Sequence, residues 1–163
     1  WTIVIYFGCY IFWIIGYLYN AAMDKRHCYR FLMADWLAKA VCFICYVVYP
    51  TTNTRPEIVG SDIWAQLMRF LYSMDAADNL FPSIHCLVSW LCYIGIRGNK
   101  KVPQWIRTTF CICAIAVFIS TLTTKQHVIY DVVAGVALVE VTYRVSKLIV
   151  KKAVKKGKSN TEA

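Results

Sequence analysis

The feature that most constrains the fold of this chain is the gathering of its apolar residues into blocks roughly twenty residues long. Of its 163 residues, 59% are hydrophobic and only 17% are charged, whereas about a quarter are charged in an ordinary soluble domain. A helix of that length crosses the roughly 30 Å hydrocarbon core of a bilayer. The sequence therefore predicts an all-α integral membrane helical bundle.

Five of these blocks are predicted to be transmembrane spans. They cover residues 1–19, 31–49, 83–96, 108–122 and 128–150. A further segment, 57–73, has apolar residues at helical spacing with polar residues between them, which is typical of an amphipathic helix lying at a membrane interface. Residues 1–150 are predicted to form one membrane-embedded domain, and the basic tail, 151–163, is predicted to be disordered.

Basic residues are concentrated in alternate loops. They crowd loop 20–30, loop 97–107 and the tail, which the positive-inside rule places in the cytoplasm. The other loops, with Arg55 and Lys125, are then expected on the extracytoplasmic face of a cell membrane. The chain opens on Trp1 inside an apolar block, without a signal-peptide pattern. Five spans leave this end outside, so we expect a fragment of a six-span parent.

The remaining composition argues against other classes of function. A net charge of +9 fits this topology better than a nucleic-acid partner, because the basic residues form no binding stripe. Cys42 and Cys45 form a C-x-x-C inside a span, where small buried hydrophobes are favoured over metal or redox work. Asp75 and Asp78 form a D-x-x-D, but two loop carboxylates make an incomplete cation shell, so turn or capping roles are favoured.

Polar side chains from three separate segments are predicted to meet at the extracytoplasmic edge. His127 lies four residues before Asp131, which places both on one face of a helix. Capping of that helix is the alternative interpretation for this pair alone. A second histidine, His85, opens the third span together with Ser83, and Arg55 comes from the preceding loop. Ionisable groups at membrane depth are costly, so this convergence indicates a functional site.

This set of residues suits phosphoryl transfer. The helix amino terminus at Ser83 favours a phosphate oxygen, and Arg55 can bind such oxygens through two hydrogen bonds. One histidine, oriented by Asp131, can attack phosphorus while the other protonates the leaving alkoxide. Fixed donors can carry the transition-state charge, so the sequence predicts neither a metal nor a cofactor.

The same residues resemble the type 2 phosphatidic acid phosphatase superfamily of membrane lipid phosphatases. Its three motifs read K-x6-R-P, P-S-G-H and S-R-x5-H-x3-D. The second motif is similar to P-S-I-H at 82–85, and the third to S-T-x5-H-x3-D at 120–131, with its spacing intact. The first motif keeps Arg55 and Pro56. The resemblance implies the bundle topology over nearly the whole chain.

The resemblance also implies a role for each residue. His127 is expected to be the nucleophile that forms a phosphohistidine, and Asp131 its orienting partner. His85 is expected to act as general acid in the first half-reaction and as base toward water in the second.

Three positions depart from the family pattern. Val48 stands where the first motif has lysine, Thr121 replaces the arginine of the third motif, and Ile84 replaces the glycine of the second. Two of three expected phosphate-binding cations are therefore missing. We predict that Lys125, two residues before His127, supplies one of them; a lysine facing lipid headgroups is the alternative.

The predicted function is that of a metal-independent lipid phosphatase that hydrolyses a phosphomonoester or diphosphate of a membrane lipid. The T-K-Q-H-x3-D segment is also similar to the branch containing inositol-phosphorylceramide and sphingomyelin synthases. That similarity implies an alternative, transfer of a phospho-headgroup between lipids. A non-catalytic membrane protein that retains a decayed site is a third hypothesis, because two motif cations are absent.

Overall fold

The fold, seen in a computed structural model, is described for residues 1–159 and consists there of helices joined by loops. The six helices in these residues are α1 (Thr2–Ala21), α2 (Lys25–Val48), α3 (Ile63–Met74), α4 (Ile84–Arg97), α5 (Gln104–Thr123) and α6 (Ile129–Ser159). No strand occurs in this part of the chain beyond an isolated antiparallel bridge between Thr52 and Asp78. The all-α prediction is confirmed.

Three helices, α1, α2 and α5, are long and apolar enough to cross a membrane. Their outward faces carry exposed apolar side chains, among them Ile14, Phe43 and Ile112. Such a surface is unfavourable in water and suits a lipid environment. These helices are compatible with the predicted membrane bundle and indicate an integral membrane protein.

The two other predicted spans correspond to α4 and α6. Helix α4 has 14 residues and is about 21 Å long at 1.5 Å per residue, which is short for a bilayer core. Helix α6 is long, but Asp131, Glu140 and Arg144 interrupt its apolar part. Length and composition therefore support three of the five predicted spans directly.

The core of the bundle is built around α4. This helix packs against α1, α2, α5 and α6, and nine of its residues are buried, with Leu87 and Leu91 completely so. A short apolar helix surrounded by four others can place a polar residue at its end without exposing that residue to lipid.

Helix α6 crosses α4 closely at Gly135. A Cβ atom at this position would lie 2.6 Å from the carbonyl oxygen of Ser83, so only glycine fits without a backbone shift. Near the same crossing, the Ser83 N–H donates to the carbonyl of Asp131 over 3.1 Å. The crossing therefore fixes the start of α4 beside the start of α6.

Helix α3 begins later than the sequence predicted. The predicted amphipathic segment started at residue 57, whereas the helix starts at Ile63. Gly60 has a φ of +107°, which is incompatible with a helix, and Asp62 accepts hydrogen bonds from the N–H groups of Trp64 (2.8 Å) and Ala65 (3.0 Å). The start of α3 is thus set by a cap that the apolar spacing does not reveal.

Two other helix boundaries differ by six residues or more from their predicted positions, and α5 starts four residues early, at Gln104. Helix α2 starts at Lys25, six residues before the predicted span, because Asp24 accepts from the His27 N–H over 3.0 Å and caps it. Helix α6 continues through Ser159, so residues 151–159 of the tail predicted to be disordered are helical. Residues 160–163 of that tail lie outside the described residues.

Two pairs of opposite charge four residues apart form ion pairs within helices. Lys39 Nζ lies 2.8 Å from Asp35 Oδ2 in α2, and Arg144 Nη2 lies 3.2 Å from Glu140 Oε2 in α6. Arg97 of α4 also pairs with Glu140, at 2.7 Å. These contacts reduce the cost of holding charges among apolar helices.

Candidate active site

The two histidines of the motif-like segments meet in the structure. His85 lies in the first turn of α4, and His127 lies just before α6, with 5.8 Å between the centroids of their rings. The crossing at Gly135 and the hydrogen bond between Ser83 and Asp131 hold these two helix ends together. The two imidazole rings therefore belong to one site, although only His127 lines the cavity described below.

His127 and Asp131 are in contact, although they do not share a helix face as predicted, because α6 starts at Ile129 and His127 precedes it. Nδ1 of His127 lies 3.4 Å from Oδ2 of Asp131, and both side chains are more than nine-tenths buried. The same oxygen accepts from the N–H of Val128 over 3.0 Å and so caps α6. The capping interpretation of this pair is therefore confirmed, and the orienting role of Asp131 stays a prediction that the contact allows. Because Nδ1 faces the carboxylate, Nε2 is the nitrogen of His127 that remains available.

Arg55 reaches the same region and connects two loops. Its Nη1 donates to the carbonyl of Asp75, and its Nη2 donates to Oε1 of Gln126, the neighbour of His127. The guanidinium lies 4.7 Å from the centroid of the Tyr72 ring, a cation–π distance. Nε of Arg55 is buried and has no hydrogen-bond partner within residues 1–159. Arg55 is therefore held mainly by its two terminal nitrogens, and its Nε–H is unpaired in this part of the chain.

An open cavity of about 800 Å³ lies beside these groups. Its polar lining includes Arg55, Lys125 and His127, and three consecutive residues after His127 form an exposed, mostly apolar lip: Val128, Ile129 and Tyr130. Lys125 has a φ of +57° and is exposed. The cavity thus combines two cations and an imidazole with an apolar rim.

Three other motif positions, Ser83, Thr121 and Val48, do not line this cavity. Ser83 is completely buried, and its hydroxyl accepts from the N–H of Cys86 over 3.3 Å. Its role in binding phosphate stays a prediction. Thr121 is also completely buried, and its hydroxyl donates to the carbonyl of Phe118 over 2.9 Å. Val48, in the lysine position, is 76% exposed at the end of α2. Thr121 and Val48 therefore supply no positive charge at the positions where the family motifs have arginine and lysine.

A comparison with known protein families matches this chain to the PAP2 superfamily over residues 2–145. The chain belongs to the PAP2 superfamily. Membership supports a phosphatase-type function, that of a phosphoric ester hydrolase in broad terms. Comparisons with curated proteins and with solved structures found no match. All the residues assigned to the site lie within the matched range.

Two residues of the site in this PAP2-superfamily chain have no counterpart in the motifs. Tyr6 of α1 is completely buried, and its hydroxyl lies 2.9 Å from Nε2 of His85. Gln126 is 1% exposed and accepts from Arg55. Only weak signals mark them in the sequence. Tyr6 begins a stripe with Tyr10 and Trp13 on one face of an apolar helix, and Gln126 merely precedes His127.

The aspartates and cysteines considered as metal or redox candidates do not form such a site in the described residues. Asp75 is the C-cap residue of α3, as a capping role predicts, and its carboxylate also accepts from the Tyr6 hydroxyl over 2.5 Å. Asp78 takes part in the backbone bridge with Thr52. Within residues 1–159, no three His, Cys, Asp or Glu side chains group closely enough to hold a metal ion. Cys42 and Cys45 are free thiols.

Proposed function

We propose that this chain is a lipid phosphatase that hydrolyses a phosphomonoester or diphosphate of a membrane lipid through a phosphohistidine on His127. The observation that carries the proposal is the 5.8 Å approach of His85 to His127 beside a cavity lined by Arg55 and Lys125. PAP2-superfamily membership supports the reaction class. The identity of the lipid, the intermediate and the role of each residue belong to the proposal.

In the first half-reaction, His127 attacks the substrate. The lone pair of Nε2 forms a bond to phosphorus while the bond from phosphorus to the lipid oxygen breaks. His85 gives its proton to that oxygen, so the lipid leaves as an alcohol, or as a monophosphate where the substrate is a diphosphate. Asp131, in contact with Nδ1, stabilises the positive charge that develops on the His127 ring.

In the second half-reaction, water replaces the lipid. His85, now neutral, takes a proton from water, and the water oxygen attacks phosphorus. The bond from phosphorus to Nε2 of His127 breaks, which releases inorganic phosphate and returns both histidines to their starting states. Arg55 and Lys125 bind the phosphate oxygens and offset their negative charge in both steps.

The lining of the cavity supports a lipid as the substrate. A phosphate between Arg55 and Lys125 leaves the rest of the molecule beside Val128, Ile129 and Tyr130, and Tyr130 is 81% exposed. These side chains extend the apolar surface of the bundle to the phosphate site, so acyl or isoprenyl chains can stay in lipid. The charge pattern of the loops supports an extracytoplasmic location for this site.

The proposal requires no metal. Two cations and the Asp131 carboxylate supply the charges that the reaction needs, so activity is expected to persist in excess chelator. Activity that is abolished by chelator and restored by Mg²⁺ would contradict this part of the proposal.

A substrate panel tests the function. Purified protein in detergent or vesicles is incubated with labelled phosphatidic acid, phosphatidylglycerol phosphate and an isoprenyl diphosphate. Label released as inorganic phosphate by the wild type, and lost in His127→Ala, supports the hydrolase. Label that moves to a second lipid would support the transferase alternative instead. If no labelled substrate is consumed, the proposal of a lipid phosphatase fails.

A further inference from the structure

His85 is enclosed by residues of α1. The centroid of its ring lies 4.8 Å from that of Tyr6 and 5.4 Å from that of Trp13, with Tyr10 further out at 6.5 Å. Trp13 is itself fixed, because its Nε1 donates to the hydroxyl of Ser89 over 2.9 Å. None of these α1 residues belongs to a motif that the sequence analysis identified. The first helix therefore forms the wall that holds the second histidine.

One contact in this wall is a hydrogen bond with a defined direction. The Tyr6 hydroxyl lies 2.9 Å from Nε2 of His85 and 2.5 Å from Oδ2 of Asp75. An ionised carboxylate only accepts hydrogen bonds, so the single proton of the Tyr6 hydroxyl is donated to Asp75. The Tyr6 oxygen then presents a lone pair to His85, and Nε2 must be the nitrogen that carries hydrogen.

We propose that Tyr6 and Asp75 are positioning residues that hold His85 in its Nε2–H form, so that Nδ1 is the nitrogen that exchanges protons with the substrate. This inference rests on the proposed function for its catalytic consequence, but the tautomer itself does not depend on that function. Asp75 acts on His85 only through the Tyr6 hydroxyl.

The chain of hydrogen bonds fits both half-reactions. When His85 is neutral, Nδ1 has a free lone pair and can take a proton from water. When His85 is protonated, Nδ1–H can donate to the leaving oxygen, while Nε2–H stays bonded to Tyr6. No proton has to leave Tyr6 or Asp75 in either step. The hydrogen bonds from Asp75 through Tyr6 to His85 fix the orientation and the tautomer of the His85 ring, and they are unchanged at the end of the reaction.

The charged and titratable groups that face His85 come from three elements. Tyr6 and Tyr10 face it from α1, Asp75 from the end of α3, and His127 from the start of α6. Asp75 is the negative group in this set. It is placed so that its charge reaches the imidazolium through one hydroxyl, as Asp131 reaches His127 directly.

Nuclear magnetic resonance tests the tautomer without reference to activity. The chain has three histidines, so ¹⁵N-imidazole signals of the detergent-solubilised protein can be assigned by single His→Gln substitutions. At a pH where His85 is neutral, the wild type is expected to show hydrogen on Nε2. Tyr6→Phe is expected to shift His85 to a mixture of tautomers, whereas Tyr10→Phe leaves it unchanged. A wild type with hydrogen on Nδ1 would overturn the inference.

Leaving-group dependence tests the catalytic consequence. A general acid matters most when the leaving group is an alkoxide and least when it is an activated phenolate. Tyr6→Phe and Asp75→Asn are expected to lower kcat on short-chain phosphatidic acid by about 10- to 100-fold, part of the roughly 10²- to 10⁴-fold range of a whole general acid. The first-turnover release of p-nitrophenolate from p-nitrophenyl phosphate is expected to fall by less than about threefold.

The controls separate positioning from a structural role. Asp78→Asn removes the neighbouring carboxylate of the same loop. Tyr19→Phe removes a hydroxyl from the other end of the same helix, where the ring packs against Phe110. Both variants are expected to keep wild-type rates. Equal losses on both substrates, or unchanged rates in Tyr6→Phe, would overturn the catalytic part of the inference. A wild type inactive on both substrates would overturn the proposed function together with that part, and the tautomer measurement would still decide the rest.

Discussion

The two histidines of the site are held in different ways. His127 contacts a carboxylate that lies one helical turn further along the chain, Asp131, which also caps the same helix. His85 bonds to Tyr6, 79 residues away in the sequence, and Tyr6 donates to Asp75 from a third segment. His127 is thus held by the first turn of the helix that follows it, and His85 by packing between helices.

This difference explains why one partner could be predicted and the other could not. His127 immediately precedes α6 and Asp131 lies in its first turn, so the contact is local and can be expected from the spacing of the two residues. The contact of His85 with Tyr6 depends on how α1 packs against α4, which no local spacing encodes. It follows that substitutions in α1 should affect the chemistry of the site although α1 contains no motif.

The largest expected effect is the loss of activity when either histidine is replaced, and its dependence on the leaving group differs between the two. His127→Ala removes the nucleophile and is expected to lower lipid phosphatase activity by at least about 10⁴-fold, whatever the leaving group. His85→Ala is expected to cost about 10²- to 10⁴-fold on an alkyl ester, with partial recovery on an aryl phosphate. Initial rates on both substrates measure the difference. Full activity in His127→Ala would contradict the assignment of His127 as the nucleophile and of His85 as the general acid.

The local partner of His127 provides the next test. In Asp131→Asn, the side-chain oxygen can still accept from the Val128 N–H, so the cap of α6 is kept while the charge is lost. We expect kcat to fall roughly 10- to 100-fold, the range typical of losing a histidine's hydrogen-bond partner. Because the cap is kept, the free energy of unfolding should change by less than about 1 kcal/mol, which is the usual contribution of a helix cap. A large loss of stability with little loss of kcat would favour a pure cap.

Lys125 tests whether the His127 side of the cavity carries the phosphate charge. Lys125→Ala is expected to lower kcat/KM about tenfold, or about 1.4 kcal/mol, because a charge-assisted hydrogen bond to phosphate is lost. Lys125→Arg should retain most of the activity. Lys101→Ala, in the loop before α5, is the matched surface control. Unchanged activity in Lys125→Ala would assign this lysine to the lipid headgroups.

The last test concerns stability rather than rate, at the helix crossing that joins the two histidines. Gly135→Ala places a Cβ 2.6 Å from the Ser83 carbonyl and is expected to lower the free energy of unfolding by about 1–3 kcal/mol. A Cβ at Gly8 meets nothing within 4 Å, so Gly8→Ala should stabilise the helix by up to about 1 kcal/mol. Thermal unfolding in detergent compares the two variants. Equal effects would show that the crossing is not tight.

Much of the fold could be predicted from the sequence because it depends on local patterns. The apolar blocks predicted the positions of α1, α2, α4, α5 and α6. Their ends were less predictable where a cap decides them, as Asp24 does for α2 and Asp62 for α3. The apolar spacing from residue 57 onward indicated helix, but Gly60 adopts a positive φ and prevents it.

The candidate site was predictable to the same extent. The segments with His85 and His127 were expected to meet, and the structure brings their rings to 5.8 Å. The contacts of Arg55 with Gln126 and of Tyr6 with His85 were missed, since each joins residues more than 70 positions apart. Such contacts depend on the packing of whole helices, which a single sequence does not encode locally.

Trapping the covalent intermediate tests the central claim most directly. Purified protein is mixed with a lipid phosphate labelled in its phosphoryl group, quenched in alkali, in which phosphohistidine survives, and digested for mass spectrometry. We expect label on His127 in the wild type and none in His127→Ala. Label on His85 or on any other residue would contradict the account, as would turnover of the lipid in His127→Ala.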